Sequence, residues 1–226
     1  MTVFDPDDGD LVAEDLACRR GERIIFRGLS FVLPPGGALL LTGANGSGKS
    51  SLLRLLATLL APETGRVIWR SAPVAADLGH YRESLHYIGH LDAIKAALRV
   101  RETLRFWAGV RAQAAPSIEA ALIAFGLVPL ADWPCRWLSA GQRRRLALAR
   151  LIAASAPLWL LDEPTAALDR DGEERLTAAI ETHRAAGGRV VIATHQPLAL
   201  VGAEHLALED FAPPVDESTA AFFGRF

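Results

Sequence analysis

The segment Gly43-Ala44-Asn45-Gly46-Ser47-Gly48-Lys49-Ser50 has the residue types and spacing to hold a string of phosphates. Its glycines let the backbone turn N–H groups inward, and a helix starting near Lys49 adds the positive end of its dipole, so amides and dipole converge on anionic oxygen. Lys49 is placed to reach the β- and γ-phosphates of a nucleotide and Ser50 to offer its hydroxyl to Mg²⁺, with Ser51 counted in the same phosphate-binding run. A glycine-rich turn of no consequence is the plainer alternative. The apolar Leu39-Leu40-Leu41 before it and the amphipathic Ser51-Leu52-Leu53-Arg54-Leu55-Leu56 after it supply the strand and helix that the phosphate reading requires.

A second group of residues complements the first. Leu158-Trp159-Leu160-Leu161 reads as a buried strand that delivers Asp162 and Glu163 at its C-terminal end, where parallel α/β sheets place their ligands. Asp162 can hold Mg²⁺ directly or through water, and Glu163 can polarise an attacking water. A core strand that merely ends in two acids is the alternative. A third group, Leu138-Ser139-Ala140-Gly141-Gln142, opens a helix, and a helix N-terminus carrying a Ser hydroxyl and exposed amides is an anion site as well as an ordinary N-cap.

The elements needed to position these groups can be read along the chain. Leu11 to Ala17 and Ile24 to Leu33 look like strands joined by a turn at Arg20-Gly21-Glu22, and Gly65 to Trp69 is another strand. From about Asp92 to Pro134 the pattern becomes Ala- and Leu-rich with helical periodicity, broken at Pro116 and Gly126. Strand and helix then alternate again: Gln142 to Ala154 helical, Leu158 to Leu161 a strand, Asp171 to Ala186 a helix closed by Gly187-Gly188, and Arg189 to Ala193 a strand. This predicts a single domain over 1–226, with a core over about 11–91 and 135–210 and an inserted helical subdomain over about 92–134.

Composition sets limits on function. With 226 residues, half of them apolar, the chain can bury a large core. A net charge of -2 offers no broad basic surface, which argues against nucleic acid as a partner. The two cysteines, Cys18 and Cys135, have no metal-type spacing near them and suit a reducing compartment. The acidic stretch Met1 to Asp10 lacks the basic start and apolar middle of a signal peptide. The apolar run Leu151 to Leu161, interrupted by Ser155 and Pro157, falls short of the roughly 20 residues that a membrane-spanning helix requires. Arg143-Arg144-Arg145 reads as a solvated helix face near a phosphate site.

Taken in order, the phosphate loop, Leu138-Ser139-Ala140-Gly141-Gln142, Asp162-Glu163-Pro164-Thr165, Ala167-Leu168-Asp169 and Thr194-His195 resemble the ABC-type ATPases over roughly Leu11 to Leu208. The resemblance implies an α/β P-loop NTPase of ABC type, a mixed β core with an inserted α-helical subdomain. It implies a head-to-tail dimer that sandwiches two ATP molecules between the phosphate loop of one copy and Ser139, Gly141 and Gln142 of the other. His195 then corresponds to the family's switch histidine at the γ-phosphate, and Asp169 lines the dimer seam. ATP and Mg²⁺ are the implied ligands.

This sequence departs from the family in three places. Ala140 replaces the usual second glycine of its motif. Counting back from the phosphate loop puts Arg20 near the usual adenine-stacking aromatic, and a guanidinium can also stack on a purine. In Tyr87-Ile88-Gly89-His90-Leu91-Asp92, Leu91 stands where the family has a Gln that reaches Mg²⁺, which leaves His90 as a polar substitute.

Within the family, Cys18-Arg19-Arg20-Gly21-Glu22-Arg23, the Gly89-His90 loop ending in Lys95, and Trp137 before the Ser139 motif resemble the ATP-binding subunits of the haem exporters of cytochrome c biogenesis. This implies two copies on the cytoplasmic side of the inner membrane, peripheral to a membrane-spanning permease subunit. The ATPase subunit of another small-molecule or lipid ABC transporter is the alternative. A DNA-repair relative would need a long coiled-coil insertion, a translation-associated relative two ATPase halves, and a non-catalytic scaffold could dispense with Lys49, Glu163 or His195. Cys18 and the six histidines form no evident haem pocket.

Overall fold

The computed structural model describes residues 9–111, 117–195 and 198–213. The expected break at Pro116, most of the acidic N-terminal stretch and most of the C-terminal tail lie outside the described residues. Strand β1 (Leu11–Arg20) turns through Gly21 and Glu22 into β2 (Arg23–Leu33), and β3 (Ala38–Thr42) leads into α1 (Lys49–Leu56). There follow β4 (Thr64–Trp69), the short β5 (Ala72–Pro73), α2 (Leu78–Glu83) and β6 (Leu85–Ile88). Helices α3 (Val100–Val110), α4 (Ile118–Ala124) and α5 (Ala140–Ala153) come next, then β7 (Leu158–Asp162), α6 (Arg170–Ala185), β8 (Arg189–Ala193) and β9 (Glu204–Ala207).

The strands form two sheets, an antiparallel one in the order β2-β1-β4-β5 and a parallel one in the order β6-β7-β8-β3-β9. In the parallel sheet, alternate residues of each strand face opposite ways. Leu39 and Leu41, Leu158 and Leu160, and Val191 and Ala193 pack with α1 and the antiparallel sheet. Leu40, Trp159, Leu161, Val190 and Ile192 pack with α3 to α6. Both faces are covered, which is why these strands read as unbroken apolar runs. The order brings the C-terminal ends of β6, β7, β8 and β3 side by side.

Sequence and structure differ at particular elements. The segment from Asp92 to Arg99 is not helical. It runs as a loop until Arg99, whose backbone N–H donates to Glu102 Oε2 at 2.8 Å and fixes the start of α3. Gly126, at φ 64°, ends the helical run of α4 in the left-handed conformation that favours glycine. Elements β5, α2, β6 and β9 carry no expectation from sequence. Each has at most six residues, too few for a period to show. No helix of the described residues is long and apolar enough to cross a membrane.

Candidate functional site

The loop from β3 to α1 is shaped by three glycines at positive φ, Gly43 (135°), Gly46 (85°) and Gly48 (112°). A Cβ on Gly43 would lie 2.7 Å from Ser47 Oγ, and one on Gly48 would lie 2.6 Å from Ile25 Cγ2, so both positions need glycine for space as well as for backbone conformation. Lys49 is buried and donates from Nζ to the carbonyls of Gly43 (2.5 Å) and Ala44 (3.0 Å), which holds its ammonium across the loop. Ser47 Oγ is buried with no hydrogen-bond partner, an orphan hydroxyl within the glycine turn. That is the local chemistry an anionic oxygen would complete. Asn45 and Gly46 are exposed at the rim, and Ser51 is half-buried on the first turn of α1.

Ser50 Oγ donates to Asp162 Oδ1 at 2.9 Å. Asp162 is buried at the end of β7, so the end of β3 and the end of β7 meet through this contact. Two hard oxygen donors at one point fit Mg²⁺, which takes few protein ligands and completes its shell with phosphate and water. Among the described residues, no group of three or more His, Cys, Asp or Glu side chains could hold a metal ion.

Glu163 adopts φ 47°, a left-handed conformation that costs a non-glycine residue about 1–3 kcal/mol and persists only where its surroundings fix it. Its N–H donates to Ala193 O at 2.8 Å, tying it to β8. Its carboxylate Oε2 lies 2.8 Å from His195 Nδ1 and 3.4 Å from the His195 backbone N, so carboxylate and histidine form one unit at the ends of adjacent strands.

Ser139 is the N-cap of α5. Its hydroxyl accepts from Gln142 N at 3.2 Å, and Gln142 Oε1 accepts from Ser139 N at 2.9 Å, a complete capping box. A Cβ on Gly141 would stand 2.8 Å from Ala167 O, so this glycine lets the start of α5 approach the loop after β7. Asp169 caps α6, its Oδ1 accepting from Gly172 N at 2.9 Å. Lys49, Ser50, Asp162, Glu163 and His195 are brought together at one edge of the sheet. Ser139, Gln142 and Asp169 are engaged as helix caps.

The arginine triplet is not a solvated face. Arg143 Nη1 donates to Leu138 O at 2.6 Å, Arg145 pairs with Asp171 at 3.5 Å, and Arg144 is buried, 3% exposed. The guanidinium of Arg144 reaches Gly89 O, Asp92 Oδ1 and the carbonyls of Asp162, Glu163 and Pro164. The sequence held the signal, since residues 144, 147, 148 and 151 fall on one helical stripe and the last three are buried aliphatics. In the loop after β6, Leu91 is 82% exposed and His90 is exposed, while Asp92 turns inward to Arg144. Arg20 is exposed at the end of β1.

Two buried histidines lie away from this edge. His86 Nε2 sits 2.5 Å from Ala154 O, and burial pushes its pKa down to about 3. His183 stacks on Trp159 with ring centroids 3.8 Å apart, and burial lowers its pKa to about 4. Burial raises the pKa of the Cys18 thiol.

A glycine-lined phosphate loop and a strand-end Asp-Glu pair at one edge of a parallel sheet, flanked by an antiparallel sheet and a helical layer, define an α/β P-loop NTPase of the ABC type. The family model described as ABC transporter matches residues 26–166. This chain belongs to the ABC transporter family. It is 60% identical over 208 residues to the cytochrome c biogenesis ATP-binding export protein CcmA of Rhodospirillum rubrum, covering 92% of this chain and 88% of that one. The CcmA protein of Paramagnetospirillum magneticum is 50% identical over 209 residues, 91% and 96% of the two chains. A solved ATP-binding ABC transporter protein from Pyrococcus furiosus superposes with a TM-score of 0.81 at 21% identity, over 91% of this chain and 100% of that one, a likeness of fold alone.

Proposed function

We propose that this chain is the ATP-hydrolysing subunit of the haem exporter of cytochrome c maturation. The observation that carries the ATPase reading is the convergence of Lys49, the Ser50–Asp162 pair and the Glu163–His195 pair at one sheet edge. The assignment to cytochrome c maturation rests on the 60% and 50% identical relatives.

In this reading residues 43–51 wrap the phosphates of ATP, and Lys49 leaves its loop carbonyls for the β- and γ-oxygens. Ser50 and Asp162 would hold Mg²⁺, which supplies charge neutralisation on the phosphates. Glu163 orients a water for in-line attack and takes its proton, while His195, anchored through Nδ1, presents Nε2 to the γ-phosphate. Ser139, Gly141 and Gln142 of a second copy close over the nucleotide, with Asp169 at the seam. Because both copies share each γ-phosphate, ATP favours the closed dimer over the open one, and hydrolysis releases it.

The dimer would sit on the cytoplasmic side of the inner membrane against a membrane-spanning permease, powering release of haem-loaded chaperone. Nucleic acid has no role in this scheme. The domain division is a single ABC domain over 1–226, with the inserted subdomain over about 92–134, whose helices begin at Val100. The ATPase subunit of another small-molecule or lipid transporter is the second reading, since the cargo is set by the permease.

Deleting the gene and complementing with the wild type or Lys49→Ala tests the assignment. Holo-cytochrome c should disappear in the deletion strain and return with the wild type alone. Normal holo-cytochrome c in the deletion strain would overturn the haem-exporter reading, and undiminished ATP hydrolysis by Lys49→Ala would overturn the site.

A further inference from the structure

One buried side chain joins the two ends of the proposed machinery. Arg144 lies on α5, the helix whose N-cap is Ser139. An arginine has five N–H donors in a fixed planar fork. Here Nε donates to Pro164 O (3.1 Å), Nη2 to Asp162 O (3.0 Å) and Glu163 O (2.7 Å), and Nη1 to Gly89 O (3.0 Å) and Asp92 Oδ1 (3.2 Å). Asp92 is the one carboxylate among these acceptors, and its own carbonyl accepts from Arg150 Nη1 at 3.4 Å. A helix surface charge has no need of such a setting, because taking a guanidinium out of water is unfavourable unless nearly every donor is paired.

What the clamp holds is the backbone of Glu163, whose φ of 47° needs external restraint. The carbonyl of Glu163 is fixed by Arg144 and its N–H by Ala193, so the strand-end turn that aims the carboxylate at His195 is pinned on both sides. The same α5 presses Gly141 against Ala167 O. A shift of the Ser139 end of this helix therefore reaches the Glu163 main chain through a rigid fork.

We propose that Arg144 is a positioning residue that couples the two nucleotide sites of the dimer. When Ser139 of one copy meets the nucleotide held by the other, the displacement of α5 is passed by Arg144 to the carbonyls of Asp162 and Glu163, and Glu163 of that same copy is brought into line for its own ATP. The proposal rests on the sandwich-dimer reading above. It assigns no chemical step to Arg144.

The test uses the assembled transporter, chain and permease together, with wild type, Arg144→Lys and Arg144→Met. The wild type should hydrolyse ATP with a Hill coefficient above 1, as two coupled sites allow. In both variants KM for ATP should stay within about twofold, kcat should fall about 10–100-fold as expected for a misplaced base, and the Hill coefficient should drop to 1. Lysine should not rescue, because it lacks the planar fork. Wild-type kcat in Arg144→Lys, or a lowered kcat with the wild-type Hill coefficient kept, would overturn the coupling. If neither Arg144 variant folds, Asp92→Ala frees the loop arm of the clamp. It should lower kcat and cooperativity together, and wild-type values of both would overturn the proposal. Glu163→Gln with Arg144 intact separates the two levels: its failure to form an ATP-dependent dimer refutes the sandwich itself, whereas its dimerisation alongside wild-type kcat in Arg144→Lys overturns the coupling alone.

Discussion

Replacing Glu163 by glutamine separates chemistry from architecture at this site. The shape of the side chain survives the exchange: an amide oxygen can still accept from His195 Nδ1, which lies 2.8 Å from Oε2, and a glutamine tolerates φ 47° no worse than a glutamate. The structural loss is a charge-assisted hydrogen bond exchanged for a neutral one, about 1 kcal/mol, in a pair whose histidine is 58% exposed. For a chain of this length that corresponds to a fall of about 2–4 °C in Tm. The chemical loss is far larger, because an amide cannot take a proton from water, and a positioned general base contributes about 10²–10⁴-fold. The variant should therefore bind ATP with wild-type affinity, lose at least about 100-fold in turnover, and accumulate a closed dimer in Mg-ATP. A coupled ATPase assay, nucleotide-binding fluorescence and size-exclusion chromatography with light scattering read the three quantities. Wild-type turnover would remove Glu163 from its role, and loss of ATP binding equal to the loss of turnover would show that the carboxylate holds the fold of the site instead.

Other positions give sharper structural tests. Gly141→Ala places a Cβ 2.8 Å from Ala167 O, so the start of α5 must move from the loop after β7; the gain in helix propensity is at most about 1 kcal/mol and overpacking costs about 1–3 kcal/mol, giving a lower Tm and slower ATP hydrolysis. Unchanged values of both would show that this approach is not tight. Tyr81→Phe removes a buried hydroxyl that donates to Leu56 O at 2.8 Å and should destabilise by about 1–2 kcal/mol in urea unfolding, with m unchanged; no change in midpoint would contradict the contact. His86 and His183 are held neutral by burial, with pKa values of about 3 and about 4, while in the unfolded chain they titrate near 6.5. Between these values the unfolded state binds more protons, so their stabilising contribution is full above pH 6.5 and is lost as pH falls toward 4 and 3. Urea unfolding from pH 7.5 to pH 5 should show this decline, and His86→Gln, which can still donate to Ala154 O, should flatten it; an equal slope in the variant would exclude His86 as a source.

The local parts of this architecture are open to reading from sequence because each carries its own signal. The phosphate loop has glycines at the positions where the backbone adopts φ of 135°, 85° and 112°, and the strand ending in Asp162 is uniformly apolar because both of its faces are covered. The parts that resist are those fixed by distant partners. Strand β6 has four residues and is defined by pairing with β7, and β9 by pairing with β3. The burial of Arg144 is hidden inside a run of three arginines, where charge suggests solvent and the spacing to Leu148 and Leu151 suggests the core. The inward turn of Asp92 follows from that same guanidinium and has no signal within its own segment.

The arrangement at Ala44 bears on how quickly a nucleotide can be exchanged. Its N–H donates to Glu209 Oε1 at 2.6 Å, from the turn after β9, while its carbonyl and that of Gly43 accept from Lys49. The loop is thus tethered from outside by Glu209 and braced from within by Lys49. With the backbone held at Ala44 from outside the loop, exchange of a nucleotide in the proposed scheme asks Lys49 to trade two carbonyls for phosphate oxygen and leaves little backbone ordering to be repeated between turnovers.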